Sequence, residues 1–208
     1  MKNSSLQNPD LQNNVLQKHQ TARGQSLIEF ALLLPLLLML ALGVVDYART
    51  IHFNNILAAM SREGADLAAR TSETPQNIIT ALNNTAEPLL MNTSGRVYIT
   101  KIMGRKVVPN CVDAPPTFCA TFPQVQEQTR ALNGAVILAS RVWACPTSFS
   151  SSDGSCNHTP TWVNATAVLP VALRDGEVVF AVETLYDYTA IVNYVMTSAP
   201  DNYSLSVL

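Results

Sequence analysis

Arg23-Gly24-Gln25-Ser26-Leu27-Ile28-Glu29-Phe30 runs directly into Ala31-Leu32-Leu33-Leu34-Pro35-Leu36-Leu37-Leu38-Met39-Leu40. From Ser26 to Val45 there are twenty residues, and Glu29 is the only charge among them. A helix of about 20 apolar residues crosses the hydrocarbon core of a bilayer. The core helix of a soluble protein would show a polar stripe, and Leu32 to Leu42 shows none. An acidic side chain within a membrane helix costs about 3 kcal/mol on insertion scales. Glu29 therefore calls for a role.

Upstream, Met1 to Gly24 is rich in Asn and Gln, lacks apolar periodicity and reads as disordered. Its positive charge sits on Lys2, Lys18 and Arg23, whereas Asp46 follows the apolar run. The positive-inside rule then puts the leader in the cytoplasm and the bulk of the chain outside. Two rival readings stay open. Ala41-Leu42-Gly43 is a small-x-small triplet, so a signal peptide cut after Gly43 would release a secreted adhesin or enzyme. Alternatively the helix is an unprocessed anchor for an envelope binding protein.

Beyond the membrane length the pattern becomes amphipathic. Phe53, Ile56, Leu57, Met60, Gly64 and Leu67 share one helical face, while Arg49, Asn54, Arg62, Glu63, Asp66 and Arg70 occupy others. No Pro interrupts between Pro35 and Pro75. One rod is expected from about Ser26 to Arg70, about 65 Å long at 1.5 Å per residue. Pro35 falls mid-span, where a missing hydrogen bond and a clash with the preceding turn predict a kink.

Thr74-Pro75 has the form of an N-cap followed by Pro at the first helical position. It predicts a second helix to about Glu87, burying Ile78, Leu82 and Ile79. Gly95 introduces a strand through Val97, Ile99 and Ile102, with Gly104 and Val107-Val108 as its return. Residues 109 to 128, with Pro109, Pro115, Pro116 and Pro123, read as a pinned loop. Ala135 to Ala144 is apolar enough for a central strand, and Ser148 to Ser155 reads as an exposed loop. Arg174-Asp175-Gly176 is a turn before Glu177 to Tyr188, an alternating strand with one buried face. The expected class is α+β: a long N-terminal transmembrane and amphipathic helix, then an extracytoplasmic domain with a small antiparallel sheet. The expected divisions are a leader 1–24, the helix 25–71 (membrane-spanning to about 45) and the outer domain 72–208.

Charge narrows the partners. The chain has 208 residues with 15 acids against 13 bases, and beyond Thr71 seven Lys/Arg face ten Asp/Glu without a basic cluster. Nucleic acid and anionic lipid both need concentrated positive charge, so neither is an expected partner of the outer domain. Cys111, Cys119, Cys145 and Cys156 all follow the helix, and an even number on the oxidising side predicts two disulfides. Of three connectivities, Cys111–Cys119 and Cys145–Cys156 close short Pro/Ser-rich loops and are favoured. A zinc site with His158 beside Cys156 is the alternative, but no C-x-x-C spacing occurs.

No nucleophile, zinc-protease, phosphate-loop or dinucleotide motif is present in the sequence. The pairs Asp175/Glu177 and Glu183/Asp187 read as solvated carboxylates rather than a catalytic dyad. Tyr186, Tyr188, Tyr194 and Tyr203 read as sheet packing. A non-enzymatic protein without a cofactor or metal is expected.

Gly24-Gln25-Ser26-Leu27-Ile28-Glu29-Phe30 resembles the type IV pilin cleavage motif, with Gly before the cut and Glu at the fifth mature position. The longer run through Pro35, then Gly43-Val44-Val45-Asp46-Tyr47-Ala48-Arg49 and Ser61-Arg62-Glu63-Gly64-Ala65, resembles the TadE-like family. These are minor pilins or pseudopilins of the tight-adherence (Flp-type) pilus system. The strand around Tyr186-Asp187-Tyr188 is similar to the closing strand of that family. The resemblance implies cutting between Gly24 and Gln25 by a prepilin peptidase, insertion in the bacterial inner membrane, and assembly with other pilins and pilus-assembly inner-membrane proteins. Glycine fits a tight peptidase site. The cut frees an α-ammonium on Gln25, one helical turn from Glu29, which is the implied assembly device. Gln25 stands where ordinary type IV pilins commonly carry Phe.

Overall fold

The structure is a computed structural model that describes residues 9–114, 119–133, 138–158, 161–162, 172–191 and 202–208, with the backbone alone for 9–24 and 161–162. Three helices and five strands follow in order: α1 (Pro9–Arg70), α2 (Pro75–Thr85), α3 (Met91–Ser94), β1 (Gly95–Lys106), β2 (Thr121–Arg130), β3 (Thr161–Trp162), β4 (Val178–Tyr186) and β5 (Asn202–Val207). The class is α+β. The chain divides into two compact units between Tyr47 and Ala48.

The first unit is the inner part of α1. That helix spans 62 residues, with Pro9 in its first turn and Pro35 inside it. It starts well before Ser26, so residues 9–24 are helical and not the disordered leader that their composition suggests. The reason is cooperativity. Nucleation is the costly step, and once Leu-rich turns exist, Leu, Gln and Ala upstream add to them at little cost. Pro9 suits a first turn because its missing N–H has no helical partner there.

The second unit begins with the outer part of α1, which ends where the sequence placed its end. Arg70 pairs with Asp66 one turn back at 2.6 Å, and Thr71 closes the last turn through its N–H and hydroxyl on the Leu67 carbonyl. Thr74 caps α2 by accepting from the Asn77 N–H at 3.3 Å, and Ile78, Ile79 and Leu82 are the buried face.

The sheet order is β3-β2-β1-β4-β5, with every pairing antiparallel. One face meets the helices. Leu57, Met60, Ala65 and Ala68 of α1 and the three apolar residues of α2 pack with Val97, Ile99, Val182 and Tyr186. Each fully buried aliphatic side chain here contributes about 1.5–3 kcal/mol. Gly64 allows the close approach: a β-carbon there would lie 2.8 Å from Leu82 Cδ1 and 3.0 Å from Val182 Cγ1. The opposite face buries Ile102, Val125, Val142, Leu173 and Ala181.

Four expectations need correction. β1 runs unbroken through Gly104 to Lys106, and Val107-Val108 is not its return strand. The return is β2, inside the stretch 109–128 that reads as loop. β2 escaped because Gln124, Gln126 and Gln128 make it polar and Pro123 reads as a strand breaker; Pro123 is tolerated because it lies beyond the two residues that β3 pairs. Leu138 to Ala144 is irregular rather than a central strand, and its apolar residues cover the second sheet face; residues 135–137 lie outside the described ones. Finally, β4 is buried on both faces along Ala181 to Tyr186, since it has helices on one side and this segment on the other.

Candidate functional site

The Gly24–Glu29 junction lies on α1. A glycine within a helix costs about 1 kcal/mol relative to alanine, so Gly24 is a weak point in the helix. Gln25 and Glu29 share one face, and Gln25 Nε2 donates to Glu29 Oε1 at 3.3 Å. The site thus brings together two of the predicted residues, with Gly24 adjoining them and Pro35 further along the same helix. Behind the junction the apolar side chains are exposed in every direction: Leu27 is 69% exposed, Phe30 59%, Leu33 53% and Leu36 57%. Exposure all round, rather than along one stripe, is what a lipid-facing helix presents. Among the described residues one helix, Gln25–Arg70, is long and apolar enough to cross a membrane, and none of its apolar window is buried. One such helix makes a single-pass anchor.

The outer part of α1 gives the Ser61-Arg62-Glu63-Gly64-Ala65 stretch a physical meaning. Ser61 Oγ lies 3.0 Å from Ser204 Oγ and 3.1 Å from Ser206 Oγ of β5. Thr184 Oγ1 donates to the Leu57 carbonyl at 3.0 Å. Phe53 meets Tyr186 and Tyr188 edge-on, with centroids 5.6 and 5.3 Å away. The helix is therefore tied to the sheet by small hydroxyls, a glycine contact and two tyrosines. Tyr186 and Tyr188 pack as sheet aromatics should, and Tyr194 lies outside the described residues.

Glu183 departs from its sequence reading. It is fully buried, not solvated, and its carboxylate accepts from Arg141 N at 2.7 Å, Val142 N at 3.1 Å, Tyr203 Oη at 3.1 Å and the Ser140 hydroxyl. Burial, and then the Glu183 charge, push the Tyr203 hydroxyl far above its ordinary range. Burial likewise raises Tyr98, whose hydroxyl donates to the Leu138 carbonyl. Beside them Gln128 Nε2 donates to Thr100 Oγ1 at 3.0 Å and to the Trp143 carbonyl at 2.9 Å. The sequence signal for this network was faint: a single acid within an apolar alternating strand.

The cysteines pair as Cys111–Cys119 and Cys145–Cys156. Near the first, Lys106 Nζ lies 2.9 Å from Asp113, and Asp113 accepts from the Cys119 N–H at 2.8 Å. That N–H and the lysine hold the Asp113 carboxyl below its ordinary value. The His158 and Trp143 rings meet at a tilt of 51° with centroids 4.4 Å apart, and among the described residues no group of three His, Cys, Asp or Glu is placed to hold a metal.

The family model described as TadE-like protein matches residues 24–66. No curated protein and no solved structure matches the chain. The match begins at Gly24, takes in Gln25, Glu29 and Pro35, and ends just past the Ser61–Ala65 contact with the sheet. The likeness to the TadE-like family is thus confined to the junction and the helix behind it.

Proposed function

We propose that the protein is a non-enzymatic minor pilin or pseudopilin that takes part in assembling or priming an adhesive tight-adherence (Flp-type) pilus. The observation that carries the reading is the junction itself: Gly24, then Gln25 bonded to Glu29, at the head of a helix whose apolar side chains are exposed all round. A prepilin peptidase working at the cytoplasmic face of the bacterial inner membrane cuts between Gly24 and Gln25. The leader 1–24 stays in the cytoplasm, held at the anionic inner surface by Lys18 and Arg23, and the domain from residue 72 lies outside. Because Gly24 is helical here, the peptidase must unwind the chain locally, and a glycine lowers that cost.

The cut frees the Gln25 α-ammonium beside Glu29. The carboxylate then pairs with its own N-terminus or with that of a neighbouring subunit, and the second arrangement offsets its burial only when subunits are in register. Glu29 is thus an assembly device, and Pro35 gives the helix a bend for packing. The partners are the peptidase, other pilins and the inner-membrane assembly proteins. To test the reading, the protein is expressed with and without the peptidase and its mature N-terminus is sequenced. A start at Gln25 only when the peptidase is present is expected. A start at Val44, or an intact Met1 with the peptidase present, overturns it.

A further inference from the structure

We propose that Glu29 protects the charge of the mature N-terminus by keeping Gln25 from cyclising. The inference rests on the cut after Gly24 proposed above. A chain that begins with glutamine can attack itself. The neutral α-amine adds to the side-chain amide carbon Cδ, the Nα–Cδ bond forms, the Cδ–Nε2 bond breaks, and Nε2 leaves as ammonia with a proton from the amine. The product is an uncharged five-membered lactam, and no oxidant or other reactant is consumed. Two conditions govern the step: the amine must be deprotonated, and the carboxamide must be free to fold back on it.

Glu29 acts against both conditions. Gln25 Nε2, the nitrogen that would depart, donates to Glu29 Oε1 at 3.3 Å. That bond draws the carboxamide one turn along the helix, away from the new terminus. The same carboxylate, a turn from the α-amine, favours its protonated form, which is no nucleophile. The benefit is mutual. Cyclisation would remove the only cation that the cut supplies, and Glu29 would be left at the head of an apolar helix with no N-terminal charge to meet, its own or a neighbour's. A glutamine at this position is chemically hazardous alone and safe beside Glu29. Glu29 is here a positioning residue.

The test uses the full chain, purified in detergent from membranes of cells that contain the peptidase, as wild type, Glu29→Gln and Glu29→Asp. After digestion the N-terminal peptide is weighed for the loss of one ammonia, immediately and after incubation. The wild type is expected to keep an intact Gln25. Glu29→Gln is expected to lose ammonia severalfold faster, because an uncharged partner holds the carboxamide less firmly and no longer favours the ammonium. Glu29→Asp, charged but a methylene too short for the carboxamide, is expected between them. If Glu29→Gln escapes processing, the ranking of Asp against wild type decides. Equal rates in all processed forms, or a wild type already cyclised, overturn the proposal. A peptide that starts anywhere other than residue 25 instead overturns the cut itself, and the same spectra show which has failed.

Discussion

Glu183 is a carboxylate buried completely in the sheet of the second unit. A buried carboxylate is tolerated only when donors satisfy it. Oε1 accepts from the Arg141 and Val142 amides and the Tyr203 hydroxyl, and Oε2 from Ser140. Glu183→Gln keeps a carbonyl oxygen for the two amides and turns its NH2 toward a hydroxyl that can accept, so a loss of about 1 kcal/mol is expected. Glu183→Leu leaves both amides without an acceptor and is expected to cost about 3 kcal/mol. Urea unfolding of the detergent-solubilised chain gives the two values, and hydrogen exchange at Arg141 and Val142 locates the damage. If Leu is the milder change, the network is not what holds the 138–144 segment. The same site sets an alkaline limit. Burial and Glu183 raise Tyr203 above its ordinary 10.0, so the folded state retains a proton that the unfolded state gives up. Its contribution is complete below pH 10.0 and is lost as pH climbs toward the higher folded value. Stability measured against pH should fall on that side, and Tyr203→Phe should flatten the fall.

Among the elements, α1 beyond Ser26 and α2 were legible, whereas α3 and three of the five strands were not. α1 from Ser26 on and α2 announce themselves because apolar period, capping by Thr74 and the stretch free of Pro between Pro35 and Pro75 agree. β4 showed itself by alternation. β2 did not, because distant loop segments rather than a regular neighbouring strand pair part of its edge: the Cys156 N–H bonds the Gln128 carbonyl at 2.8 Å and the Arg130 N–H bonds the Gly154 carbonyl at 2.9 Å. A strand clad by loops need not alternate. Leu138 to Ala144 erred in the other direction, since an apolar segment covering a sheet face has the composition of a strand. The Cys145–Cys156 bridge, with a separation of 11 residues, closes the loop that lies along β2. Its double Ser variant is expected to lose about 2–3 kcal/mol and to speed exchange along Thr121–Arg130. The Cys111–Cys119 pair should matter less, because Lys106 and Asp113 hold that loop independently. Thermal melts of the two double variants decide the ranking; the reverse order would mean that the 145–156 loop does not support β2.

Over the whole molecule, the helix carried the readable part of the function. Residues 24–66 match a family, whereas the sheet beyond them draws its role from contacts such as Ser61 with Ser204 and Ser206, more than a hundred residues apart in sequence. No local motif encodes such a contact. The two units also require different surroundings. Side chains exposed all round from Leu27 to Val45 belong in lipid, and the two disulfides require an oxidising side. With Lys2, Lys18 and Arg23 ahead of the span and Asp46 behind it, charge and redox chemistry favour the same orientation. A membrane-impermeant maleimide applied to spheroplasts tests both at once. Untreated cells should give no labelling, because the four cysteines are paired. Labelling should appear from outside after mild reduction and unfolding, without lysis. A cysteine placed in the leader at Ser5 should react only after lysis. Native cysteines that react without reduction, and only after lysis, would put the second unit in the cytoplasm, and a leader cysteine that reacts in intact spheroplasts would invert the helix and with it the side on which any peptidase meets Gly24.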